Sequence, residues 1–340
     1  MGGIMHFRCF LLVPLLLLAC GRLPEGVGSN HEVMVLADPE QKDRLGEVIE
    51  EIFERKVFTA QEEKVFTVRW GSPEEFDFYK KWKNLVLLGS FDRQGPTATL
   101  LDRFLSSQAR EKVSTGEAFF FARHNAWAQD QEVFFLVAEG EDVLAQRLGE
   151  SGDRIFDLME EALNAKIQNM LYDKGEQFKL EKRLFGDYGW TLRVPRGYEV
   201  FKEIPEENFV WLRKQQPHRW IFVSWEQTED VTITAQGCMD QRDEIGRTFY
   251  EGDQIVRGFT SAEEVDFLGW RALRLAGLWE NRSRYLGGPF RTYCFYDQQA
   301  RRRYMVDAAV FAAGVEKEPY LRQVDIIAHT FSTAPLGAWK

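Results

Sequence analysis

Arg242-Asp243, Trp279-Glu280 and Arg322 are the residues whose types suit a ligand site. A guanidinium offers a planar fork of donors for an anion, and an indole face stacks on a sugar or a cation. If these side chains converge on one cleft, they would bind an anionic or carbohydrate ligand. The competing reading makes them buried salt bridges and caps that fix the second half of the chain. His31, His124, His218 and His329 are far apart, with no HExxH pair and no CxxC, so no metal site is expected. The chain carries no GxSxG elbow, Walker A loop or dinucleotide fingerprint, and Gly287-Gly288 before Pro289 lacks the spacing that cradles phosphate. No cofactor is expected. A carboxylate pair for hydrolysis could still hide among 53 acidic residues, because spacing along a chain does not report separation in space.

The most specific chemistry lies at the start of the chain. Met1 to Arg8 carry Arg8 and no acid, and Cys9 to Leu18 form an apolar run broken only by Pro14, the pattern of a secretory signal. That run is too short to cross a bilayer, which takes roughly 20 apolar residues. The tetrad Leu17-Leu18-Ala19-Cys20, followed by Gly21, resembles the bacterial lipobox. The resemblance implies a signal peptide over residues 1–19 and a diacylglycerol on Cys20, whose thiol is the nucleophile that accepts the lipid. The small Ala19 admits the scissile bond to a narrow peptidase site. Two acyl chains hold a protein on a membrane far more firmly than one. Residues 20–30, with three glycines, read as a lipidated tether. Gly21 is not the aspartate of inner-membrane retention and no acidic run follows it, so the expected address is the cell envelope, at the outer membrane facing the periplasm.

Forty-three basic residues against 53 acidic ones give a net charge of −10, the wrong sign for neutralising a phosphate backbone, so nucleic acid is not an expected partner. Of the four cysteines, Cys238 and Cys294 remain in the body once Cys9 leaves and Cys20 is lipidated. In an oxidising compartment these two can pair, and the alternative leaves Cys294 as a buried thiol.

Around these residues the first half alternates strand and helix signals. Strands are expected at 32–37, 65–70 and 85–88, and helices at 45–53, from Ser72-Pro73 to Trp82, and over 97–113. The runs 118–122 and 132–138 suggest a hairpin. A long amphipathic stripe through Ile155, Met159, Leu163 and Ile167, with a break at Gly175, leads to a boundary at Gly186-Asp187. The second half reads as strands at 190–194, 209–212, 220–225, 231–235, 271–279, 291–296 and 303–311, with helices at 239–250 and from Tyr320 to Phe331. The expected fold class is α+β, in two domains: an α/β domain with a mixed sheet over 31–186, and a mostly antiparallel sheet with packed helices over 187–334. Trp211, Trp220 and Trp225 are expected to face the core for the most part.

Several clusters add up to a resemblance: Trp127-Ala128 with Gln131, Val194 to Tyr198, Asn208 to Trp211, Arg242-Asp243, Gly277 to Trp279, Gly287 to Phe290, and Lys317 with Tyr320 to Gln323. Their order over residues 30–333 is similar to the uncharacterised envelope lipoproteins grouped as domain of unknown function 4837, common in Bacteroidetes-type bacteria. Leu286 and Asp325 depart mildly from that pattern. The resemblance implies an envelope lipoprotein and brings no active site. Tyr188 to Pro195 is also similar to the opening strand of PsbP-like and Mog1-like α/β/α sandwiches, which implies a fold and little about function.

The expectation is therefore a lipid-anchored, non-enzymatic binding or assembly module that contacts an envelope protein, a glycan or a small ligand. An envelope hydrolase with an acid or histidine centre is its rival, and a rigid two-domain spacer is a third reading.

Overall fold

The computed structural model describes residues 23–250 and 252–334, so the signal segment and Cys20 lie outside the described residues. In the first half, β1 (Glu32–Leu36), α1 (Pro39–Phe53), β2 (Lys56–Phe58), β3 (Glu62–Lys64), β4 (Thr67–Gly71), the one-turn α2 (Phe76–Tyr79), β5 (Asn84–Ser90), α3 (Pro96–Phe104), α4 (Ser107–Ser114), β6 (Phe120–His124) and β7 (Glu132–Ala138) follow in order. The sheet order is β4-β1-β5-β7-β6, parallel except for β6, which runs against β7. Val33, Val35 and Val86 point to one face and Met34, Leu36 and Leu85 to the other, into two separate apolar clusters. A sheet covered on both faces needs near-continuous apolar strands, which is why these runs were legible.

Three expectations for this half change. The helix expected over 97–113 is two helices: Leu105 is extended, and Ser106 caps α4 by accepting from the Ala109 nitrogen at 3.2 Å. The helix expected to reach Trp82 stops at Tyr79. The residues read as tether do not hang free from Pro24 onward, because Gln129 donates to the Pro24 carbonyl and Val27 exchanges backbone bonds with Lys81 and Lys83.

Helix α5 (Glu141–Asp173) runs for 33 residues, about 50 Å at 1.5 Å per residue. Leu144, Leu148, Ile155, Met159, Leu163 and Ile167 make its buried stripe. Gly175, at φ 108°, lets the chain turn before α6 (Phe178–Tyr188).

The second half comprises β8 (Glu199–Ile204), β9 (Phe209–Lys214), β10 (His218–Gln227), α7 (Ala235–Phe249), β11 (Gln254–Ile255), β12 (Ser261–Phe267), β13 (Trp270–Asn281), β14 (Leu286–Asp297), β15 (Arg302–Phe311) and α8 (Glu318–Ala328). Its eight strands form one antiparallel sheet, β11-β13-β14-β15-β10-β9-β8, with β12 also on β13. Side chains alternate across it: Phe290 and Cys294 join the cluster under α7, whereas Tyr293 and Phe295 join the cluster under α8. That second cluster is continuous with the α1 and α5 face of the first sheet, so one apolar core joins the two halves. Trp220 and Trp225 are buried on opposite faces, and Trp211 is half-buried.

Residues 190–194 are not a strand; only Thr191 bridges, to Ser332. Residues 231–235 are not one either, because Thr234 caps α7 by accepting from the Gly237 nitrogen at 3.1 Å. Helix α8 ends at Ala328, and Phe331 packs beyond it against Trp190. The unforeseen strands β2, β3, β8, β11 and β12 are short or largely unburied, and most carry charged residues where a core strand would be apolar. No helix among the described residues is long and apolar enough to cross a membrane.

Candidate functional site

The residues expected to converge lie on opposite faces of the antiparallel sheet. Arg242, on α7, donates from Nε to Asp307 Oδ1 at 2.7 Å and from Nη2 to Oδ2 at 3.3 Å, and its guanidinium lies 3.8 Å from the Phe290 ring centroid. Asp307 is fully buried and also accepts from the Thr292 hydroxyl at 2.5 Å. Asp243 accepts from the Ile255 nitrogen at 2.6 Å and from Arg257 at 2.8 Å. Trp279 is buried and donates to the Val310 carbonyl at 3.2 Å. It sits opposite Gly288, where a Cβ would come within 2.0 Å of that carbonyl oxygen, so the glycine is there for packing. Glu280 pairs with Arg282 at 2.8 Å. Arg322, on α8, belongs to the other face. The α7 set is thus spent on holding that helix to the sheet, and the five residues share no cleft.

Cys238 of α7 and Cys294 of β14 are both buried as free thiols. Both sit in the cluster under α7, where the neighbouring thiol lowers Cys238, whereas burial, with Cys238 adding to it, pushes Cys294 well above the ordinary thiol value.

Where the two halves meet, α8 packs against α5 and carries the polar residues that join them. Glu63, on β3, is almost fully buried and accepts from the backbone nitrogens of Lys317 and Glu318, each at 2.7 Å. Lys317 makes no side-chain cap of its own, so a carboxylate from the first half caps α8 and meets the positive end of its dipole. One turn further, Arg322 donates to Glu318 at 2.6 Å, Asn164 at 2.8 Å and Glu160 at 2.9 Å, the last two on α5. His31 lies 3.5 Å from the other Glu318 oxygen.

Beside this weld a cleft of about 660 Å³ opens between α5 and the inner face of β13 and β14. Asp325 accepts from Arg291 at 2.5 Å and from the Tyr293 hydroxyl at 2.7 Å. Burial alone would raise Asp325, but Arg291, His329 and Tyr293 outweigh it and hold the carboxyl below its ordinary value. Burial likewise opposes the Arg291 charge, and Asp325 and Tyr293 reverse that and raise it. Arg274, on β13, pairs with Glu263, and its buried Nε has no partner.

A second groove of about 440 Å³ continues past the same two arginines, lined by Phe58, Phe259, Ala276, Pro289 and Leu321. Phe58 and Phe259, one from each half, stack at 5.4 Å and stay about half exposed. Sequence reading missed Arg274, Arg291 and Tyr293. Their signal was alternation along β13 and β14, but it could not say that the face beneath them meets a second domain. A further open cleft, about 830 Å³, lies at one end of the sheet beside Trp270, Tyr296 and Asp297.

The fold is thus α+β, two sheets joined through buried helices, with a charged and apolar cleft along the joint. Residues 177–330 carry domain of unknown function DUF4837, and residues 26–172 carry a different one, DUF8532. The resemblance read over 30–333 is therefore confined to the second half for DUF4837, and the two matches part where α5 ends. Comparison with curated proteins gives no match. Among solved structures, one from Bacteroides thetaiotaomicron aligns at 9% identity and a TM-score of 0.28 over 44% of this chain and 47% of its own, so the chain spans about half its length. The Ran-binding protein Mog1p of Saccharomyces cerevisiae aligns at 11% identity and 0.29 over 43% of this chain and 90% of its own. LpqN of Mycobacterium tuberculosis, described as involved in cell envelope biogenesis, aligns at 15% identity and 0.28 over 42% and 82%.

Proposed function

We propose that this protein is a lipid-anchored module of the bacterial cell envelope, held at the periplasmic face of the outer membrane through Cys20, that binds a ligand or assembly partner at the joint of its halves. The lipobox-like tetrad ending at Cys20 supports the anchor. The observation that carries the binding reading is the state of the joint: Asp325 is held ionised by Arg291 and Tyr293, and Arg322 is committed to Glu318, Glu160 and Asn164. Groups with fixed charge on rigid helices and strands suit recognition, whereas a general acid or base works best with its pKa near the working pH.

Membrane partition and cross-linking test the two parts separately. The Cys20→Ala variant should leave the membrane fraction, and retention after a salt wash would remove the anchor. Cross-linking in intact cells should capture a partner or ligand with wild type and lose it with Arg274→Glu, which reverses a half-buried charge at the joint. Capture that is indifferent to that variant would place binding elsewhere.

A further inference from the structure

The glycine-rich segment after Cys20 is built into the body. The Val27 nitrogen donates to the Lys81 carbonyl and the Val27 carbonyl accepts from the Lys83 nitrogen, both at 2.9 Å, and the Pro24 carbonyl accepts from the Gln129 nitrogen at 2.8 Å. The two turns that receive the segment are locked together by one buried side chain. Gln131 donates to the carbonyls of Lys80 and Trp82 at 2.7 and 2.8 Å and accepts from the nitrogens of Trp127 and Ala128 at 2.9 and 3.2 Å. The glycines serve this docking. A Cβ on Gly26 would come within 2.9 Å of the Lys83 side chain and 3.0 Å of the Gln129 carbonyl oxygen, and one on Gly28, at φ 85°, within 2.6 Å of the Trp82 ring. We infer that residues 23–28 are a clamp that holds the end of the first sheet where β5 and β7 begin against a lipid surface.

The inference rests on the lipid at Cys20 and adds what that lipid does to the body. Only Gly21 and Arg22 stand between Cys20 and Leu23, whose carbonyl accepts from the Gln129 amide. Three steps of extended chain reach about 10 Å, whereas a segment free as far as β1 would reach about 40 Å. The short reach fixes which face meets the headgroups, and Leu23 and Val27 leave apolar side chains exposed on it. Charge does not drive the contact. Lys80 is paired with Asp77 at 2.7 Å, and Glu25 and Asp130 share the face with Lys81 and Lys83, so the contact should be indifferent to salt and to headgroup charge. Behind the clamp, Lys166 of α5 donates to the Lys83 carbonyl at 3.1 Å, and Ala165 and Gln168 on the same turn line the cleft at the joint, so that cleft opens close to the lipid.

The test uses the full mature chain purified from membranes and reconstituted on vesicles of phosphatidylcholine, with and without phosphatidylglycerol. In a chain carrying Cys238→Ala and Cys294→Ala, a nitrobenzoxadiazole label is placed at Lys81→Cys or at Glu139→Cys. These positions lie beyond opposite ends of β5 and β7, which pair in parallel over seven residues, about 20 Å. Phospholipid bearing a nitroxide on its headgroup should remove most of the emission at Lys81 and almost none at Glu139, in both lipid mixtures and at high salt. Gly26→Val with Gly28→Val undoes the docking, and an insertion of about twelve glycine and serine residues between Arg22 and Leu23 lengthens the reach while leaving the docking whole. Each should abolish most of the quenching at Lys81. The insertion touches no packed residue, so it decides the question even if the valines disturb the fold. A chain that does not float with the vesicles overturns the anchor. Flotation with equal quenching at the two labels, or quenching that the insertion leaves unchanged, overturns the clamp and leaves the anchor standing.

Discussion

Glu63 lies 2.7 Å from the backbone nitrogen of Glu318, a residue 255 positions further along the chain. A carboxylate on a short hairpin of the first half thereby begins the last helix of the second. The hairpin carries almost no core of its own, so its place in the structure depends on this contact and on the Phe58–Phe259 stack.

Removing that cap should be visible in stability. Glu63→Ala deletes two charge-assisted bonds at the positive end of α8 and is expected to cost about 1–2 kcal/mol. The urea midpoint should fall with an unchanged slope, and the β2–β3 hairpin should become the first site of limited proteolysis. An unaltered midpoint would mean that water replaces the carboxylate without loss.

Arg322 should matter more. Its replacement by methionine leaves Glu318, which is 1% exposed, without its charged partner, and a broken buried pair costs about 3–5 kcal/mol. Arg322→Lys should recover only part of this, because one ammonium cannot reach Glu318, Glu160 and Asn164 together. The double variant Arg322→Met with Glu318→Gln should be less damaged than Arg322→Met alone, and a strictly additive loss would contradict the coupling.

Glu181 supplies a pH dependence. Burial raises its carboxyl to about 7 despite the opposing hydrogen bond from the Val194 nitrogen, with Glu176 adding to the rise. Between the ordinary value of 4.5 and about 7 the folded chain holds a proton that the unfolded chain has lost, so this group's contribution to stability declines as pH rises through that window. Glu181→Gln keeps an acceptor for Val194 and removes the decline. It should raise the melting temperature at pH 8 and leave it nearly unchanged at pH 4.5; an equal shift at both would rule the titration out.

The thiols of Cys238 and Cys294 should join when the chain is folded in an oxidising compartment. Each loses a proton and together they lose two electrons to a disulfide-donating oxidant, which closes a loop that the chain-entropy model values at about 4 kcal/mol. Non-reducing mass spectrometry of protein isolated from its cells with thiols alkylated at lysis should find the linked peptides, and reduction should lower the denaturant midpoint. Two free thiols in that material, titrated after unfolding, would show that the pair stays reduced.

Much of the fold was legible because burial writes a local pattern. Strands β1, β5 and β7 are covered on both faces and read as apolar runs, and α5 and α8 carry apolar stripes at helical spacing. Where burial is partial the pattern fades: β12 exposes five of its seven residues and was missed. Thr234 and Ser106 behaved as caps inside segments whose composition suggested one continuous element, because a single side-chain bond to the backbone can end or begin a helix.

The site divides along the same line. Residue type and order were enough to pick out Arg242, Trp279 and Arg322 as unusual, and to raise the expectation of a lipid on Cys20, because those signals sit within a few neighbouring residues. Which arginine is bound to which carboxylate, and which face of β14 meets the other half, depends on packing between segments far apart along the chain, 65 residues for Arg242 and Asp307 and 162 for Arg322 and Glu160. A strand's alternation assigns its side chains to two faces but does not say what lies against either. Arg242 and Arg291 therefore look alike along the chain, and only the folded structure closes one, on α7, in a buried pair with Asp307 and leaves the other lining an open groove.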